Sequence, residues 1–81
     1  MRGKVLFVGN IDPAVTREEL SEEFSYFGIV RYINIIKGKG IGFVKMSRVK
    51  DAERALPGLN GIELKGREIR VEMAHPHEKE S

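Results

Sequence analysis

Two stretches near the middle of the chain alternate apolar and polar residues with a period of two, and only Lys37-Gly38-Lys39-Gly40 separates them. In Val30 to Ile36, Ile33 and Ile35 share one face while Tyr32, Asn34 and Ile36 share the other. In Ile41 to Met46, Val44 and Met46 oppose Ile41, Phe43 and Lys45. Two such runs around a short glycine turn predict an antiparallel hairpin with one apolar side. Whatever else the chain forms must cover that side.

The remaining segments supply the cover. Val5-Leu6-Phe7-Val8, ended by Gly9-Asn10, reads as another strand. Thr16 with Glu19 three positions on is a capping box, and Val15 with Leu20 has the spacing of a hydrophobic staple, so a helix is expected from Arg17. Leu20, Phe24 and Phe27 form its apolar stripe with the glutamates opposite, and Gly28 is read as its left-handed stop. After Ser47, the residues Ala52, Ala55, Leu56 and Leu59 mark a second helical face, which Pro57 should end or kink at Leu56. Lys65-Gly66 turns the chain into a last strand, Glu68 to Met73, with Ile69 and Val71 inward and Arg70 and Glu72 outward. The order β-α-β-β-α-β predicts an α+β, ferredoxin-like split β-α-β fold: a four-stranded antiparallel sheet with both helices on one face. Residues 4–74 are expected to be the domain, 1–3 an extension and 75–81 a flexible tail.

Composition narrows the function. Eighty-one residues with 41% apolar content support one modest core. A chain of this size buries roughly 60 to 65% of its unfolded surface, so no cofactor cavity is expected and function should sit outside. There is no cysteine, which removes disulfides, thiolate metal sites and cysteine nucleophiles and fits a reducing nuclear or cytoplasmic setting. No segment approaches the ~20 apolar residues of a membrane span, and a soluble protein is expected. His75-Pro76-His77 lacks a third ligand, so no metal is expected. The net charge is only +2, but Arg31, Lys37, Lys39, Lys45, Arg48 and Lys50 fall in a stretch with no acid, whereas Asp12, Glu18, Glu19, Glu22 and Glu23 precede it. A basic face and an acidic face are expected.

The strand pattern places aromatics in the open. If Leu6 and Val8 face the helices, Phe7 faces away, and Phe43 does so on its own strand. An exposed aromatic pair ringed by Lys39, Lys45 and Arg70 is unfavourable unless something covers it, and single-stranded nucleic acid would do so through stacked bases and paired phosphates. Glu72 on the same side either accepts from an exocyclic amine or pairs with Arg70. Gly38-Lys39-Gly40-Ile41-Gly42 is not a phosphate loop, because it joins two strands rather than a strand to a helix; its glycines are assigned to the turn and, at Gly42, to close packing of a helix.

Leu6-Phe7-Val8-Gly9-Asn10-Ile11 and Lys39-Gly40-Ile41-Gly42-Phe43-Val44-Lys45-Met46 resemble the six- and eight-residue motifs of the RNA recognition motif family. Asp51 to Leu56 followed by Leu59-Asn60-Gly61 is similar to that family's second helix and its exit, so the likeness runs from about Lys4 to Ala74. A looser likeness runs to its paraspeckle-type and splicing-factor-type members. The resemblance implies that Phe7 and Phe43 each stack a base and that Lys39 meets phosphate. Ile41 departs from the pattern, standing where a third aromatic is usual, and Tyr32 is the candidate to replace some of that ring area. The expected RNA-binding set is Phe7, Phe43, Ile41, Lys39, Lys45, Asn10, Tyr32, Asn34, Arg70 and Lys37, although Asn10 equally suits a turn cap. The expected partner is single-stranded RNA bound by a monomeric module without enzyme activity, in RNA processing such as splicing or in mRNA regulation. The alternative is a protein-interaction version of the motif that holds a peptide or partner domain through its helix faces or sheet. A small acyl-phosphate hydrolase of the same plan is disfavoured, because Gly9-Asn10-Ile11-Asp12-Pro13 offers no anion cradle. The chain is expected to be a piece of a larger protein.

Overall fold

Residues 3–74 are described by a computed structural model. The tail assigned to 75–81, with His75 and His77, lies outside the described residues, as do Met1 and Arg2 of the short extension. In chain order the elements are β1 (Val5–Gly9), α1 (Arg17–Ser25), β2 (Val30–Ile36), β3 (Ile41–Met46), α2 (Val49–Leu59), β4 (Glu63–Leu64), β5 (Arg67–Glu68) and β6 (Arg70–Met73). The main sheet is antiparallel in the order β2-β3-β1-β6, and both helices pack on one side of it. This is the ferredoxin-like arrangement expected from the pattern. Strand alternation sorts the side chains: Leu6, Val8, Val44, Met46 and Val71 meet Leu20, Phe24, Ala52, Ala55 and Leu59 in one core.

α1 starts where its signals place it. Thr16 is extended, its Oγ1 accepts from the Glu19 N–H at 3.1 Å, and Glu19 Oε1 accepts from the Thr16 N–H at 2.9 Å. Lys65 Nζ lies 3.0 Å from the other Glu19 oxygen. The Thr16 N–H first, and Lys65 after it, hold the Glu19 carboxyl below the usual glutamate value. The folded state therefore favours ionised Glu19. That contribution is complete above the unfolded-state value and disappears as pH falls through the lowered folded one.

The structure corrects four expectations. Gly28 is not the left-handed stop of α1, which closes at Ser25 with Tyr26 in right-handed helical geometry and the Phe27 N–H on the Phe24 carbonyl at 3.0 Å. Gly28 has φ +155° and lies against the buried Asp51 carboxyl, so its lack of a side chain serves packing between segments. Asp51 in turn sits in the first turn of α2, where the helix dipole favours an anion, 3.4 Å from Arg48 Nε.

Pro57 does not end α2, which continues to Leu59. A proline costs a helix interior about 3 kcal/mol, but here it projects to solvent near the C-terminus. Carrying the helix on keeps Leu59 in line with Ala52 and Ala55 in the core and lets the Asn60 N–H close on the Leu56 carbonyl at 2.9 Å. Gly58 leaves room there for the tip of the Phe27 ring, which lies where a Cβ would fall.

The last strand is shorter than Glu68 to Met73. Lys65 (φ 53°) and Gly66 (φ 88°) form a two-residue turn with both φ positive, which closes the separate β4–β5 hairpin before β6 begins. Gly42 accommodates Ile11 rather than a helix: a Cβ there would lie 3.4 Å from Ile11 Cδ1 and 3.1 Å from the Asn34 carbonyl oxygen.

Gly28→Ala is expected to lower stability by roughly 1 to 3 kcal/mol, because the added methyl falls on the Asp51 carboxyl in a backbone region unfavourable to alanine. Urea unfolding followed by circular dichroism measures this, and a loss under about 0.5 kcal/mol would contradict the close-approach reading.

Candidate nucleic-acid interface

With Leu6, Val8, Val44 and Met46 committed to the core, the opposite face of the sheet is set by register. Its middle row, from β2 to β6, is Asn34, Phe43, Phe7 and Glu72. One pleat towards the β2–β3 turn, Ile36 pairs with Ile41, and Gly9 pairs with Arg70. One pleat the other way, Lys45 is flanked by Tyr32 and Val5. The sequence-derived candidates Phe7, Phe43, Ile41, Lys45, Tyr32, Asn34 and Arg70 are thus brought onto one surface, away from the helices.

The two rings form its centre. Phe7 and Phe43 are directly opposed, with centroids 5.7 Å apart and planes inclined at 57°. That tilted contact is a favourable aromatic geometry. Each ring is partly covered by its neighbours yet remains accessible. Phe7 leans along its own strand, so that a Cβ on Gly9 would lie 3.2 Å from its Cε2. Gly9 therefore leaves room for the first ring to lean, a role the sequence reading did not assign, although a glycine two positions after an outward aromatic on a strand is a legible sign of close approach.

The cations sit around this centre rather than in it. Lys37 and Lys39 stand exposed on the β2–β3 turn, whose Gly38 and Gly40 have φ 83° and 69°. The turn is pinned beneath the sheet by the Ile11 N–H on the Gly40 carbonyl at 2.9 Å. Lys45 is half buried beside Tyr32, itself 50% exposed. Arg48 is drawn away to Asp51, and the acidic residues of α1 lie across the sheet from the rings.

Asn10 stands apart from the other candidates. Its backbone has φ 57°, and its Nδ2 donates to the Glu68 carbonyl at 2.8 Å, fastening the end of β1 to β5. The Arg67–Asp12 pair at 3.8 Å and the Lys65–Glu19 pair hold the same small hairpin against the β1–α1 loop and α1. Both pairs are exposed, so water screens them and they orient the hairpin more than they stabilise it. Among the described residues, no group of three or more His, Asp or Glu is placed to hold a metal ion.

Comparison with known proteins identifies the family and agrees with the fold. The RNA recognition motif family matches residues 6–70. The polyadenylate-binding protein RBP45 of Nicotiana plumbaginifolia is 42% identical over 66 residues, covering 82% of this chain and 16% of that protein. The chloroplastic 28 kDa ribonucleoprotein of Spinacia oleracea is 39% identical over 77 residues, covering 88% of this chain and 33% of that protein. The crystal structure of RNA binding protein PG1 superposes with a TM-score of 0.82 at 30% identity, covering 94% of this chain and 99% of that one. The chain thus spans 16 to 33% of the length of the two curated relatives.

Asn10→Ala is expected to destabilise the fold by about 1 to 3 kcal/mol, through the lost Glu68 bond and the strain of a positive φ, whereas Asn10→Gly loses only the bond. Paired urea melts of the two variants check this; equal losses would remove the backbone part of the argument.

Proposed function

Because the chain belongs to the RNA recognition motif family, we propose that it binds single-stranded RNA on the open face of its sheet, by stacking and charge and without chemistry of its own. One observation carries this reading: Phe7 and Phe43 lie opposed on the face away from the helices. Rings inclined at 57° favour bases that are splayed apart, as in a single strand, over the parallel stack of a duplex. Lys37, Lys39, Lys45 and Arg70 supply the phosphate contacts, while Asn34 and Tyr32 reach base edges or sugars from β2. Ile41 presses on a ribose without offering a π-face. Asn10 acts mainly as a fastener, with its Oδ1 directed to ligand at most as a secondary contact.

Stacking contributes about 1 to 3 kcal/mol per base, so two platforms with a few phosphates give a weak complex over a few nucleotides. On this reading the domain acts as a monomer, and useful affinity would come from linkage to further binding units. The relatives' names, polyadenylate-binding protein, ribonucleoprotein and RNA-binding protein, support RNA binding; the role assigned here is RNA processing, splicing included, or mRNA regulation, in the nucleus or the cytoplasm. A second reading, docking of a protein partner, draws on Tyr26 and Ile29, 83% and 66% exposed outside the sheet.

Phe43→Ala is expected to weaken binding of a short oligouridine or oligoadenosine by about 1 to 3 kcal/mol while the fold is kept. Wild-type affinity should also fall with salt at a log-log slope near −0.7 for each phosphate neutralised. Fluorescence titrations at several salt concentrations test both, and a folded mutant of unchanged affinity would refute the stacking role. A salt-insensitive ligand captured through Tyr26 would favour the protein-docking reading instead. Ile41→Phe is expected to tighten RNA binding by restoring a third ring; weaker binding in the same titration would show that Ile41 is shape-matched to its ligand.

A further inference from the structure

We infer that Glu72 reads the base stacked on Phe7, selecting a base with a Watson–Crick amino group (adenine, cytosine or guanine) over uracil. The inference rests on the sheet-face reading and adds to it a rule of discrimination. Its geometry is the middle row of the open face, where Glu72 is the direct cross-strand partner of Phe7. Directly opposed residues on an antiparallel pair have Cβ atoms about 5 Å apart on the same side. A base lying over the Phe7 ring therefore has one edge within reach of the Glu72 carboxylate.

Among the described residues the carboxylate is uncommitted. Asp12, Glu19 and Asp51 each face a cation, at 3.8, 3.0 and 3.4 Å. Among the described residues Glu72 makes neither an ion pair nor a side-chain hydrogen bond, and Arg70, two positions before it, is not its partner. It is also exposed, and with Arg70 it borders a hollow of about 430 Å³ that Asn10, Asn60 and Glu68 complete. Its surroundings make it costly. Among the described residues, every other charged side chain on this face of the main sheet or its β2–β3 turn is a cation, and Glu72, with Glu68 across the hollow, repels the phosphates that the cations attract. A group that opposes binding in general is best explained by something it accepts in particular.

An ionised carboxylate only accepts hydrogen bonds. Cytosine offers N4–H, adenine N6–H, and guanine N1–H with N2–H side by side, the last matching both carboxylate oxygens. Uracil offers only N3–H, set between two carbonyl oxygens whose lone pairs oppose the carboxylate. The middle row thereby places an acceptor-only group at the Phe7 end and an amide that both donates and accepts, Asn34, at the Phe43 end. The asymmetry gives the two platforms different base preferences.

The test uses the intact chain with four octamers: oligouridine, oligoadenosine, oligocytidine, and oligouridine carrying one central guanine. Wild type should bind the three amino-bearing octamers at least about fivefold more tightly than oligouridine. Glu72→Gln keeps the size, removes the charge and adds an N–H donor, so every octamer should bind somewhat more tightly and the preference should shrink towards one. Amide shift mapping with each octamer confirms that Phe7 and Glu72 are at the ligand. Equal affinities in wild type, or a preference unchanged in Glu72→Gln, overturn the inference while leaving sheet binding intact. Failure of all four octamers to bind, or binding that Phe43→Ala leaves untouched, sinks the sheet-face reading and this inference with it.

Discussion

A strand that buries Leu6 and Val8 leaves Phe7 no choice of side. The same holds for Phe43 between Gly42 and Val44 on the neighbouring strand. A one-residue slip of β1 against β3 would turn Phe7 into a core already filled by Phe24 and Leu20 and drive Leu6 and Val8 into water at about 1.5 to 3 kcal/mol each, and the same slip of β3 would do this to Phe43, with Val44 and Met46 expelled. The open face is therefore a by-product of the core. The aromatic pair stays displayed because the side chains behind it have nowhere else to go.

The regions flanking this pair are held by contacts of a different kind. Ile11 leaves β1, drops under β3 where Gly42 makes room for it, and ties the β2–β3 turn through Gly40. On the other side Asn10 fastens the same end of β1 to β5, and Asn60 Oδ1 accepts from the Val71 N–H at 3.0 Å to seat β6 beside β1. Loop residues thus fix the rim to which the lysines and Arg70 belong. This division suits a binding surface: the rings need a rigid backing, whereas the cations need only be brought near flexible phosphates.

What was legible in the sequence follows the range of the interaction that decides it. Alternation is local, so the outward direction of Phe7, Phe43, Tyr32, Asn34 and Lys45 was readable, as was the capping box at Thr16. Gly28 and Asn10 were harder because their determinants are distant: Asp51 for the one, and for the other Glu68, fifty-eight residues along the chain. Pro57 misled for another reason. Propensity weighs a single missing bond, but the helix answers to the stripe formed by Ala52, Ala55 and Leu59, and that stripe continues past the proline. The β4–β5 hairpin, with two residues to a strand, is too short for any period to register, although its turn at Lys65-Gly66 could be read.

The distribution of charge separates affinity from selectivity on this surface. Lys37 and Lys39 stand on the exposed turn and Arg70 on the edge strand, positions suited to a backbone that carries no sequence information. The only side chains in direct register with the rings are Asn34 and Glu72, one at each end of the middle row. Neither is a cation. Cations beside the rings would strengthen attraction for every sequence alike, because phosphate presents itself identically along the strand. If bases stack on the rings as proposed, an amide and a carboxylate in those positions give up that uniform attraction and leave the edge of each base to groups whose hydrogen-bonding capacities differ. Under the proposed binding mode, two platforms too few for tight binding would still tell one short sequence from another.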